Sequence, residues 1–316
     1  MQKQFLGRSK LQIAPVVFGG NVFGWTADQQ RSFELLDACL DHGINMIDSA
    51  NVYSAWAEGN QGGESETVIG NWLQKSGKRQ QVIIATKVGM PLTDGSRGLG
   101  RQYIIDQTEA SLERLKTDYV DVLYAHIDDP TVPFEETFAA FQQLIEAGKV
   151  RHIASSNYSA ERLQAALSFS KQNNLPAFIA HQPEYNLFDR AGYEDELESV
   201  CQQNELGVVT YFSLASGFLS GKYRNAEDLK QSRRGIFLDK YMTERGLKIL
   251  AALDQVSRAY NCPAATVALA WIINRPSVTA PIASATNVEQ LRQIAAAADL
   301  KLAASDIQLL NDASAC

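Results

Sequence analysis

Eight short runs of β-branched and apolar residues recur along the chain, each parted from the next by a longer stretch of helical period. After two extended segments at 3–6 and 11–14, joined by a turn over 7–10, the runs fall at 16–18, 44–48, 82–86 and 119–124. The rest lie at 150–154, 177–180, 207–211 and 278–282. Between them lie amphipathic stretches such as 28–42, where Phe33, Leu36 and Leu40 recur at three and four. Others occupy 64–75, 103–115, 134–147, 160–171, 192–204, 243–260 and 263–274, with two more from Asn287 and Ser305. The runs are nearly continuous in apolar character, which predicts strands buried on both faces. Eight such units predict an α/β fold, a closed (β/α)8 TIM barrel with an N-terminal β-hairpin. An open doubly wound sheet is the rival. The rival's dinucleotide enzymes carry GxGxxG after the first strand, whereas here that strand runs into FGGNVFGW. No GxxxxGK[ST] loop, linker or low-complexity tract occurs, so one domain over 1–316 is expected.

A formal charge of −7 argues against nonspecific binding to nucleic acid or to an anionic membrane. The four cysteines, Cys39, Cys201, Cys262 and Cys316, form no CxxC pair, and HExxH is absent. A reducing compartment and no structural metal are expected. The N-terminus lacks the apolar core of a signal peptide, and no apolar run approaches the ~18 residues of a membrane span. A cytoplasmic protein follows from this reading.

In a barrel the C-terminal strand ends ring the active site. Here those ends are Asp48, Lys87, His126, Ser156 with Asn157, Gln182 and Tyr211. Each has a bland reading alone. Asp48 and Asn157 suit helix caps, Lys87 a snorkelling surface residue, and His126 a satisfied core histidine. Six polar exits converging on one small opening are less easily explained as independent caps.

The residue types suggest a chemistry. Tyr53 lies five residues past Asp48, and a free tyrosine titrates at about 10, too high for ready proton transfer at neutral pH. A neighbouring lysine favours the phenolate and lowers that value, while an acid behind the lysine holds it charged. A histidine orients a carbonyl oxygen or shares the proton. Asp48, Tyr53, Lys87 and His126 thus read as a proton relay aimed at a carbonyl, which still needs something to add. A hydride from a bound nicotinamide fits. Ser156, Asn157 and Gln182 suit its carboxamide, and Tyr211 offers a flat face for its ring.

The chain resembles the aldo-keto reductases over essentially its whole length. The motifs are GINMIDSANVYSAWAEGNQGGESETVIGNWL, IIATKVG, LERLKTDYVDVLYAH, EAGKVRHIASSNYS, QPEYNL, SLASGFLSGKYR and ALAWIINRPSVTAPIASATNVEQL. It is similar in particular to a bacterial group that also resembles potassium-channel β subunits. The resemblance implies a (β/α)8 barrel closed at its bottom by the opening hairpin. It implies reversible reduction of an aldehyde or ketone by NAD(P)H. It places Asp48, Tyr53, Lys87 and His126 on the catalytic tetrad, with Tyr53 the general acid. Ser156, Asn157 and Gln182 fall on the binders of the nicotinamide amide, with Asp48 beside them, and Tyr211 on the stacking aromatic. Phe212, Ser213, Leu214, Ser216 and Lys222, with Arg234, fall on the pyrophosphate loop. Ser284, Thr286 and Gln290 fall on the adenosine turn, and Gly20 and Asn21 on the first loop at the cofactor.

Three departures matter, one being Ala283 and Ser284 in place of a frequent glycine in the adenosine turn. Phe212-Ser213 replaces a frequent Ser-Pro, which predicts a more mobile loop. A clear arginine cluster for a 2′-phosphate is missing near Thr286, where Thr286 and Arg292 take its place. NADP(H) is the expected cofactor, with NAD(H) as the alternative. Phe23, Trp25 and Trp56 are the expected pocket walls for a small carbonyl substrate. Asp128 and Asp129 suit sugar hydroxyls, or more simply a loop cap before Pro130. Homo-oligomer formation is left open. Two alternatives stand beside the reductase: a slow NADP(H)-binding sensor with a protein partner, and a Schiff-base lyase using Lys87.

Overall fold

The computed structural model describes residues 1–225, 227–228 and 238–315. Its strands are β1 (Gln4–Phe5), β2 (Gln12–Ile13), β3 (Val17–Gly19), β4 (Met46–Asp48) and β5 (Ile83–Val88). They continue as β6 (Val120–Ala125), β7 (Val150–Ser156), β8 (Ala180–Gln182), β9 (Gly207–Thr210) and β10 (Ala280–Ala283). Strands β3 to β10 pair in parallel and close into a barrel, with β10 returning to β3. Helices occupy the connections, and the expected (β/α)8 fold is the fold found.

Strand alternation sorts the side chains into two cores. Val17, Met46, Ala85, Val122, Ala154, Ala180 and Val209 point inward and pack together along the barrel axis. Their chain neighbours Phe18, Ile47, Ile84, Leu123, Ile153 and Val208 point outward into the larger core beneath the helices. The next inward position on most strands, two residues further on, is no longer apolar. It is Asp48 after Met46, Lys87 after Ala85 and Ser156 after Ala154. It is Gln182 after Ala180 and Tyr211 after Val209. The polar exits are therefore the top layer of the barrel interior.

The hairpin β1–β2 is antiparallel, and Leu6 and Ile13 beside its strands join the interior core from below. Asn45, just ahead of β4, accepts from Ala14 N at 2.9 Å and donates to Gln12 O at 2.9 Å. Gly7 has φ +55°, and a Cβ there would lie 2.1 Å from Ile179 O.

Most ends shift by one or two residues, and two differences from the sequence reading are larger. The sixth run was expected over 177–180, but β8 is Ala180–Gln182. The apolar run starts earlier, yet the ladder to both neighbours begins only where Ala180 faces Gly207 and His181 faces Ser155. The helix expected over 192–204 is two, Ala191–Glu194 and Leu197–Gln203. Asp195 and Glu196 lie at the break, where carboxylates suit the start of the second helix better than the end of the first.

Candidate active site

Asp48 ends β4 and Lys87 stands near the end of β5, and neither side chain is more than 2% exposed. Lys87 Nζ donates to Asp48 Oδ2 at 2.5 Å, to the Ser49 carbonyl at 2.8 Å and to Tyr53 Oη at 3.0 Å. Three oxygens thus take the three ammonium protons. Burial alone would lower the Lys87 pKa, but the Asp48 charge, with the interactions with Tyr53 and the hydrogen bonds to both, outweighs it and the ammonium is held above its usual range.

Tyr53 reaches the ammonium from the loop after β4. The sequence reading expected its pKa to fall, and the structure corrects this. Burial is the larger influence and raises it, Lys87 lowers it, Asp48 raises it, and the net direction is up. The hydroxyl is therefore protonated at neutral pH in this state.

His126 follows β6, its ring centroid 6.1 Å from that of Tyr53 and edge-on to it. Burial, and then the charge on Lys87, press its pKa well below the usual histidine value. A neutral imidazole can orient an oxygen but carries no extra proton. Its Nδ1 is buried without a hydrogen-bond partner among the described residues.

Ser156, Asn157, Gln182 and Tyr211 form the adjoining arc. Ser156 Oγ donates to Gln182 O at 2.8 Å, and Asn157 Nδ2 donates to His126 O at 2.9 Å and Ser156 Oγ at 3.1 Å. Tyr211 Oη donates to Asn157 Oδ1 at 2.7 Å. Asn157 does not cap the following helix. Ser159 does so, accepting from Arg162 N at 3.2 Å, while Asn157 sits at φ 56°. Gln182 Nε2 donates to Asp48 Oδ1 at 3.0 Å.

Beyond Tyr211 the backbone is unusual. Phe212, Ala215 and Ser216 are non-glycine residues in the left-handed region, followed by Gly217 at φ 99°. Such conformations cost of order 1–3 kcal/mol each and collect at ligand clamps, where successive N–H groups can face an anion. Where a proline was missing, Ser213 is buried and its hydroxyl donates to Thr210 O at 3.0 Å, pinning the turn another way. Phe212 is 49% exposed, and Lys222 is exposed with its ammonium over the Tyr223 ring. Leu214 is half-buried and precedes the 3-10 turn Ala215–Ser220. Arg234 lies outside the described residues.

The other cofactor candidates continue around the rim, at the exits of β10 and β3 next to β9. Gly20 opens the turn Gly20–Val22, and its carbonyl accepts from Ser65 Oγ at 2.8 Å. Ser284 Oγ donates to Asn21 Oδ1 at 2.6 Å. Gln290 Oε1 accepts from Thr286 N at 2.9 Å and Thr286 Oγ1 at 3.1 Å. Arg292 is exposed and pairs with Glu289 at 3.5 Å.

Of the three aromatic wall candidates, two reach the mouth. Trp25 meets Trp56 edge-on at 5.8 Å, and Trp56, 47% exposed, meets Tyr53 edge-on at 5.6 Å. Phe23 has no exposed surface and stacks on Phe18 at 5.5 Å, so it backs the wall without lining it. Asp128 is held by Arg162 through two hydrogen bonds of 2.7 and 2.9 Å, and Asp129 accepts from Leu99 N and Thr131 N. The loop-cap reading describes Asp129, and Asp128 is an ion-pair partner.

Sequence reasoning passed over Tyr124, two residues ahead of His126 on β6. The signal was its inward parity with Val122, which places it inside the barrel with Met46 and Ala85.

The donor set fits a dinucleotide. Amides and hydroxyls cluster beside Tyr211, a turn of left-handed residues follows it, and further hydrogen-bonding side chains lie at the β10 exit. The family model for the aldo/keto reductase family matches residues 15–315. An uncharacterized oxidoreductase, YrpG, of Bacillus subtilis is 32% identical over 99% of this chain and 95% of its own length. A probable voltage-gated potassium channel subunit beta of Arabidopsis thaliana is 33% identical over 95% and 92%. The L-glyceraldehyde 3-phosphate reductase of Escherichia coli strain K12 is 31% identical over 93% and 86%. With the family model spanning nearly the whole barrel, this chain belongs to the aldo/keto reductase family of oxidoreductases.

Proposed function

We propose that the protein reduces an aldehyde or ketone to the alcohol with NADPH, reversibly, and that Tyr53 supplies the proton. The observation that carries this reading is the 3.0 Å contact between Tyr53 Oη and a fully buried ammonium that Asp48 clamps at 2.5 Å. When bound, the nicotinamide supplies the hydride that adds to the carbonyl carbon. Tyr53 gives its proton to the carbonyl oxygen as charge builds there. Lys87 stabilises the phenolate left behind, and Asp48 keeps Lys87 charged and in place. Neutral His126 orients the oxygen. Ser156, Asn157, Gln182 and Tyr211 would seat the nicotinamide, the 212–222 turn with Lys222 the pyrophosphate, and Ser284, Thr286 and Gln290 the adenosine end.

The L-glyceraldehyde 3-phosphate reductase among the relatives supports a carbonyl substrate. The Schiff-base alternative is weakened by Lys87 itself, since an ammonium held above its usual range is a poor nucleophile. The plant relatives named as channel β subunits keep the slow, partner-binding sensor as the second reading.

The test is NADPH consumption across aldehydes, ketones, dicarbonyls and sugars, with borohydride trapping alongside. Turnover on part of that panel supports the reductase. Tight nucleotide binding with no turnover would support the sensor, and a substrate trapped on Lys87 the lyase.

A further inference from the structure

Three members of the relay stand on the barrel itself: Asp48 in β4, Lys87 in β5 and His126 directly after β6. Tyr53 does not. It belongs to the loop 49–63, between β4 and the helix Glu64–Ser76, yet its hydroxyl sits 3.0 Å from Lys87 Nζ. A reacting group misplaced by about 1 Å loses on the order of 10² in rate, so a proton donor carried on a loop needs anchors of its own.

The backbone around Tyr53 is anchored on two sides. On the helix side, the Tyr53 carbonyl accepts from Gly63 N at 2.8 Å. The Glu64 carboxylate accepts from Ser54 N at 3.3 Å and Gly62 N at 3.0 Å. On the other side lies the first loop, 20–27, which carries Gly20, Asn21 and Trp25. Ser54 has no exposed surface, and its hydroxyl proton is shared between Phe23 O at 2.9 Å and Asn21 O at 3.2 Å. Asn60 Nδ2 donates to Gly24 O at 2.9 Å and to Ser54 O at 3.2 Å. The carbonyls of Asn21, Phe23 and Gly24 thus all accept from the loop that carries the tyrosine. The edge-on contact of Trp25 with Trp56 joins the same two loops.

The first loop is itself registered on the barrel. Asn21 Oδ1 accepts from Ser284 Oγ at the β10 exit, and the Gly20 carbonyl accepts from Ser65 Oγ. A Cβ on Gly20 would lie 3.1 Å from Asp48 O, so this loop runs close over the end of β4. Fastening the tyrosine loop to it therefore fixes Tyr53 relative to both flanking strand ends. Ser54 and Asn60 are neutral and bond only backbone carbonyls across the gap. Removing either changes where the phenol sits and leaves the charges around it in place.

We propose that Ser54 and Asn60 are positioning residues for the proton step. They clasp the loop carrying Tyr53 to the first loop and so hold the phenol at its contact with Lys87. The proposal rests on the reading of Tyr53 as the proton donor.

The assay is single-turnover oxidation of bound NADPH by the full-length protein, with an aldehyde from the carbonyl panel, in H2O and in D2O. Ser54→Ala should lower the rate about tenfold and keep NADPH affinity within about threefold by fluorescence titration. Its solvent isotope effect should exceed that of the wild-type protein, because transfer from a displaced phenol becomes the slower event. Asn60 is half-buried, and Asn60→Ala should move both readouts the same way by a smaller amount. A purely structural role would lower Tm and leave the rate and isotope effect of the folded fraction unchanged. In a Tyr53→Phe background Ser54→Ala should cost little more, since the group it places is gone. Wild-type rate and isotope effect in both Ser54→Ala and Asn60→Ala overturn the proposal, as does a loss that multiplies fully with that of Tyr53→Phe. If Ser54→Ala does not fold, Asn60→Ala decides by the same criteria. If the wild-type protein reduces nothing on the panel, or Tyr53→Phe keeps a normal rate, the reading of Tyr53 falls and this proposal with it. If Tyr53→Phe is crippled while both loop variants behave as wild type, only the inference about Ser54 and Asn60 falls.

Discussion

Lys87 carries a full charge with no exposed side chain, and it is tolerated there because three oxygens surround it. Losing one partner of a buried pair typically costs 3–5 kcal/mol, so Asp48 supports stability as well as chemistry. Tyr53 can be tested more cleanly, since its hydroxyl is one atom at the edge of the cluster. Tyr53→Phe is expected to retain cofactor binding by fluorescence titration while turnover falls by on the order of 10² or more. Near-normal turnover would remove the tyrosine from the proton step. His126, pressed well below its usual pKa, should show no acid limb of its own near pH 6.5 in the pH–rate profile.

At the scale of elements, the hairpin β1–β2 depends on one residue at its turn. Gly7 turns the chain at φ +55° against the barrel floor, where a Cβ would sit 2.1 Å from Ile179 O. A left-handed alanine costs about 1–2 kcal/mol and overpacking about 1–3 more. Gly7→Ala should therefore lose about 2–4 kcal/mol in urea denaturation while the folded fraction keeps its specific activity. Unchanged stability would mean that the hairpin does not seal the barrel as described. The exits were legible from sequence for a related reason. Strand parity is fixed at two residues, so a polar residue two beyond an inward alanine has to face the mouth. The start of β8 was not legible, because the apolar run at 177–180 is the same whether or not a neighbour pairs with it.

For the molecule as a whole, pH acts through buried histidines. His126 and His152 are held below the ordinary value of 6.5, and burial takes His181 down to about 3. The unfolded chain binds protons at these sites below about pH 6.5 and the folded chain does not. Their stabilisation is therefore complete above that pH and is lost as pH falls from 6.5 toward 3, by at most ~1.4 kcal/mol per unit for each histidine. A urea midpoint that is flat above pH 7 and drops below 6.5 is expected, and a midpoint rising on acidification would contradict it. The cofactor preference also belongs to this scale, because a dinucleotide would draw on the exits of β7, β8 and β9 at one end and those of β10 and β3 at the other. NADPH is expected to bind more tightly than NADH, and a fluorescence titration giving the reverse order would favour the NAD(H) alternative.

The order of eight apolar runs and the residue type at each strand end were set by the chain alone, since periodicity and parity are local properties. From them came the barrel, the polar rim and the types of group available for chemistry. Distance and dielectric were decided only by closure of the barrel. Closure put Gln182 against Asp48, 134 residues apart in the chain, and left the Tyr124 hydroxyl without a hydrogen-bond partner among the described residues, its ring beneath Lys87. It also reversed the expected direction for Tyr53, because desolvation depends on everything packed around a phenol and not on the lysine beside it.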